Sequence, residues 1–80
     1  MLYTVYYNRV TSADGSYSPS TSTYDNLESA YKQFYQIFAS YIGNKTYKHI
    51  EAVLTATDLT AENPTMVVME AKSWNNKVGE

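Results

Sequence analysis

The chain has no cysteine. No disulfide can staple it, and no thiolate can hold a metal. A reducing compartment suits such a chain. Its one histidine is His49, so no histidine pair can ligate a metal either. The three glycines, at positions 15, 43 and 79, form no phosphate-cradling loop. There is no G-x-S-x-G turn, and any hydrolytic triad would have to share the lone histidine. Asp14-Gly15 lacks the other ligands of a calcium loop. No cofactor and no metal are expected, and nothing in the sequence points to an enzyme.

Charge is sparse as well. Lys and Arg total six, and the net charge is −2. The six are scattered and make no basic stripe, so nucleic acid is not an expected partner. The eight acids are too few and too spread to imitate a row of phosphates. No apolar run approaches the roughly 18 residues of a membrane span. The chain enters an apparent strand at its first residues, with no basic segment ahead of an apolar one. No signal peptide is expected, and the expected location is cytoplasmic. Asn44-Lys45-Thr46 matches a glycosylation sequon and, without a secretion signal, reads as a chance match.

What the chain does have is tyrosine, nine in 80 residues, and clear hydrophobic periodicity. Its length makes one domain, one that buries only about 60% of its unfolded surface, folds alone with a thin stability margin and has room to gain from oligomerising. "LYTVYYNRV" reads as a strand. Asp14-Gly15 is a strong turn pair. "SYSPSTSTY" follows, Ser/Thr-rich and interrupted by Pro19, and reads as a short exposed arm or a loop at residues 16–24.

The helix is predicted over Asn26–Ile42, about 25 Å long at 1.5 Å per residue. Asp25 is its expected N-cap, with Glu28 three residues on as in a capping box. Leu27, Ala30, Tyr31, Phe34, Ile37, Phe38, Tyr41 and Ile42 share one face, and Gly43 supplies the left-handed stop. "TYKHIEAVLTAT" alternates cleanly as a strand. Ile50, Ala52, Leu54 and Ala56 take one face, and Tyr47, His49, Glu51, Val53 and Thr55 the other. In the last strand, "TMVVMEAKSW", the same alternation puts Val67, Met69 and Ala71 inside. It puts Met66, Val68, Glu70, Lys72 and Trp74 outside. The tail from residue 75 to residue 80 is expected to fray.

The fold class is therefore α+β. A two-layer domain over residues 1–74 is expected, with an antiparallel-rich sheet of three to four strands in the order β-β-α-β-β. One helix covers one face of the sheet. The large rings of Phe34 and Phe38 face small Ala52 and Ala56, which lets the helix sit close.

One helix cannot cover two faces, and aromatics remain for the other. Tyr3 and Tyr7 go inward with Val5, or outward in the opposite register. Tyr6, Tyr17, Tyr47, His49, Val53, Val68 and Trp74 are the candidate protein-binding residues, with Tyr24 also a candidate for exposure. Tyrosine and tryptophan give large, stiff contact area and are enriched in interfaces. Ordinary cross-strand packing on an open sheet accounts for the same residues equally well. His49 and Glu51 are face neighbours that suit acid–base chemistry or a plain surface pair.

The layout of a very short chain, "YDNLESAYKQFYQIFASYIG" and a strand pair ending in "MEAKSW" resembles the small accessory proteins of bacteriophages and prophages, especially of Gram-positive bacteria. The resemblance implies a non-enzymatic module that binds a host or phage protein stoichiometrically. One such class is anti-defence inhibitors of the anti-CRISPR kind, although this chain departs from their acidic, DNA-mimicking type. Self-association through the same aromatic face, in a homo-oligomeric assembly protein, is the alternative.

Overall fold

The computed structural model describes residues 1–77. Strand β1 runs Leu2–Thr11 and strand β2 Tyr17–Tyr24; helix α1 follows at Leu27–Tyr41; strands β3, Tyr47–Thr57, and β4, Met66–Asn75, complete the domain. The four strands form one antiparallel sheet in the order β2-β1-β3-β4. Because β2 and β3 both run antiparallel to β1, they run parallel to each other. The helix makes the crossover between them, and β1 fills the gap. The expected α+β architecture with one helix on one face of the sheet is the architecture observed.

The Ser/Thr-rich arm is a full strand. Every residue of β2 pairs with β1, from Tyr3 opposite Tyr24 to Val10 opposite Tyr17. Pro19 sits in the middle of this strand, which is tolerable because β2 lies on an edge. Asp14 holds the turn between β1 and β2. Its Oδ1 accepts from Thr11 Oγ1 at 2.6 Å and from the Ser16 N–H at 3.0 Å. Those bonds favour the carboxylate and pull its pKa down to about 2. Asp58, after β3, is lowered for the same reason by Thr60.

The helix starts one residue later than Asp25 would set it. Asn26 is the N-cap: its backbone is extended and its side chain accepts from the Ser29 N–H at 3.0 Å. Glu28 still lies in the first turn, where a negative charge suits the helix dipole. The stop is as expected, with Gly43 at φ +84.

Ala30, Phe34, Ile37 and Phe38 of the helix are buried against Val5, Ile50, Ala52 and Leu54 of the central strands. Tyr3, Tyr7, Tyr24, Tyr31 and Tyr41 surround this core, so Tyr3 and Tyr7 do go inward. The helix packs on β3, β1 and β2. The fourth strand is left in the open: nine of its ten residues are exposed, and Glu70 alone is half-buried.

Asn75 and Asn76, at the start of the expected tail, are tied down rather than frayed. Asn75 belongs to β4, and the Asn76 N–H donates to the Lys48 carbonyl at 3.0 Å. Asn76 Nδ2 faces the carbonyls of Tyr41, Asn44 and Tyr47 at 2.9, 3.1 and 2.8 Å, and its Oδ1 accepts from the Gly43 N–H at 2.8 Å. One amide side chain thus closes the helix C-terminus onto the start of β3. The expected boundary at residue 74 moves accordingly, and the remainder of the expected tail, residues 78–80, lies outside the described residues.

Candidate functional site

Residues directly opposite each other on paired antiparallel strands share a face. The registers therefore assign every strand side chain to the helix side or the outer side. Tyr6 is outer: it stands opposite Thr21 on one neighbour and Val53 on the other, and it is 40% exposed. Val53 continues the row to Ala71, and Val68 stands outside opposite Thr55. Tyr17 is outer at the far end of β2, opposite Val10, and is 73% exposed. His49 is outer between Val10 and Asn75.

Two candidates are on the other side. Trp74 stands opposite Ile50, a core residue, and so faces the helix side. The cause is a register shift in β4: Leu54 pairs with Glu70 but Thr55 with Val68, so Met69 is an extra residue. Such a bulge inverts the parity of everything after it. Glu70, Lys72 and Trp74 therefore lie on the helix side, and Ala71 on the outer side, the reverse of unbroken alternation. Lys72 confirms the assignment, with Nζ 5.7 Å from the ring centre of Tyr35 and 5.9 Å from that of Phe38.

Tyr47 is displaced in the same way. The register shifts between Val10, opposite His49, and Thr11, opposite Tyr47, so Lys48 is the extra residue. Tyr47 turns to the helix side and packs edge-on to Tyr41, ring centres 5.2 Å apart. Both rings help enclose Arg9, whose guanidinium carbon lies 5.4, 5.0 and 5.6 Å from the ring centres of Tyr7, Tyr41 and Tyr47. Arg9 also donates to Tyr41 Oη at 2.7 Å and to Ser20 Oγ at 3.3 Å. This cage explains three of the tyrosines as packing around one cation.

The outer face is concave at its middle. A shallow depression of about 500 Å³ lies over β1 and its neighbours, walled by Tyr6, Asn8, Pro19, Thr21, Glu51, Val53, Ala71 and Ser73. Asn8 Oδ1 is buried there without a hydrogen bond inside the chain. Tyr6 and Val53 were legible as candidates. Glu51 was legible as the neighbour of His49; Asn8, Pro19, Thr21, Ala71 and Ser73 were not, although the alternation of β1 already groups Asn8 with Tyr6.

His49 and Glu51 meet as expected, Nε2 to Oε2 at 3.4 Å, and Asn75 Oδ1 lies 2.6 Å from His49 Nδ1. Glu51 lines the depression and His49 does not. Among the described residues, no group of three or more His, Asp or Glu could hold a metal ion. No helix among them is long and apolar enough to cross a membrane. Fold and face together define a small α+β domain with a split β-α-β crossover and one uncovered sheet face. No known protein family matches the chain, and neither a curated protein nor a solved structure does so.

Proposed function

We propose that this chain is a non-enzymatic protein-interaction module that acts by stoichiometric binding through its outer sheet face. The observation that carries the reading is the segregation of charge across the sheet. Among side chains that the paired registers put outside, Glu51 alone has a formal charge, while Arg9, Glu70 and Lys72 stand on the helix side. Centres of protein interfaces are depleted of charge and enriched in aromatics and methionine. Tyr6, 40% exposed, lines the depression, and Val68 at 60% and Met66 at 54% extend the exposed outer face along β4 beyond it. The layout resemblance to phage accessory proteins supports a bacterial host protein, such as a defence component, as the partner.

The test is capture from a bacterial lysate with three baits. Wild type and Lys32→Glu, altered on the solvent side of the helix, are expected to retain the same partner at one-to-one stoichiometry. Tyr6→Ala combined with Val68→Ser is expected to lose it, by roughly 30-fold or more in affinity if Tyr6 is a hot spot. A partner held equally by all three baits would place binding elsewhere on the molecule.

A further inference from the structure

The free edge of β4 is the feature the outer-face reading does not use. This strand has ten residues, pairs with β3 on one side only, and is exposed on both faces. Val67 is 57% exposed and Trp74 46%, both on the helix side, where the helix does not reach to cover them. The opposite edge is blunted by Pro19, which cannot donate to an added strand. The edge of β4 has no proline. Its row of backbone groups is a template for another strand.

Its charges say which strand fits. Glu70 and Lys72 flank Ala71 on the helix side. Neither has an ion-pair partner, His49–Glu51 being the sole such pair among the described residues. We propose that a second copy of this chain adds its β4 antiparallel to this one, about a two-fold axis through Ala71. Ala71 then lies opposite the partner's Ala71, Glu70 opposite the partner's Lys72, and Lys72 opposite the partner's Glu70. Beyond Glu70 the extra residue Met69 is passed over, so Val68 comes opposite the partner's Ser73 on the outer side and Val67 opposite the partner's Trp74 on the helix side.

Alternative registers are weaker by the same criterion. An axis through Glu70 or Lys72 puts like charges opposite each other. One through Ser73 leaves Glu70 without a counter-charge. One through Val67 reaches the first residue of the strand after a single step. The favoured register makes one continuous eight-stranded sheet with both helices on one side. Both outer faces lie together on the other side and stay open, so this inference stands or falls independently of partner capture.

Sedimentation over a range of concentrations tests it, with circular dichroism as the check on folding. Wild type is expected to dimerise reversibly. Glu70→Lys and Lys72→Glu each turn two attractive cross-strand pairs into two repulsive ones and should weaken the dimer roughly tenfold. The double swap, Glu70→Lys with Lys72→Glu, should restore it. Since the chain has no cysteine, Ala71→Cys gives a clean crosslink. On oxidation it should form a covalent dimer, because directly opposed antiparallel residues lie within disulfide reach. A wild type that stays monomeric at every concentration overturns the proposal. So does a dimer indifferent to the single swaps, or one that the double swap leaves as weak as either single.

Discussion

At the scale of single residues, the polar side chains that matter most are those that close turns and ends. Asn76 is one: its amide meets three carbonyls and one N–H spread from the last residue of α1 through the connection to the first of β3. Each net hydrogen bond is worth about 1 kcal/mol, and stranded backbone groups add to the loss. Asn76→Ala should therefore cost about 2 kcal/mol, read as a lower urea midpoint, and Asn76→Asp should cost nearly as much because it keeps the acceptor and loses both donors. Asp14 is another. Its folded pKa of about 2 lies below the ordinary 3.8. Its share of stability is fully present above about pH 3.8 and is lost as pH falls through about 2. An NMR titration of the Asp14 carboxyl should show that low midpoint, and Thr11→Val, which removes the largest cause, should move it back toward 3.8. Neither role shows in the sequence as more than turn chemistry. Asn76 in particular lies in what composition alone marks as a tail, and its partners come from residues some thirty positions away.

At the scale of elements, periodicity identified three strands, the helix and the core face, while the Ser/Thr run of β2, with no apolar alternation, stayed between a short exposed arm and a loop. Phe34 is fully buried between the helix and the sheet, so Phe34→Ala should destabilise by about 3–5 kcal/mol. Against the stability usual for a domain of this size, that removes a large share of it and should lower the thermal midpoint sharply. A thermal midpoint left unchanged would refute the helix-on-sheet core. Which face a side chain takes was legible only up to the first irregularity. Tyr6, Val53 and Val68 were placed correctly because unbroken alternation connects them to their core neighbours. Tyr47 and Trp74 were not, because each lies beyond an extra residue, Lys48 and Met69 respectively. A bulge has no composition of its own. It arises from how two strands twist against each other, and reading one strand at a time cannot see it. The cap was misread for a similar reason: Asp25 and Asn26 are both good capping residues, and the backbone decides between them.

At the scale of the whole molecule, the strand order puts the two strands most distant from simple hairpin pairing at the centre of the sheet. The hairpins β1–β2 and β3–β4 are local, and the helix needs only its own residues. The central pairing joins residues as far apart in sequence as Leu2 and Thr57. Closing that loop costs entropy before any long-range contact rewards it, so the meeting of β1 with β3 is the step expected to limit the folding rate. Until it happens, β1 and β3 are themselves open edges, and the face of Ile50, Leu54 and Val5 is uncovered. A chain whose two hairpins form before they meet is expected to expose more strand edges than the finished sheet. Pro19 guards the β2 side of the first hairpin throughout, whereas β4 stays open from the earliest hairpin to the native sheet. The order in which the strands join therefore leaves one edge available for association at every step, in the folding chain as well as in the folded one.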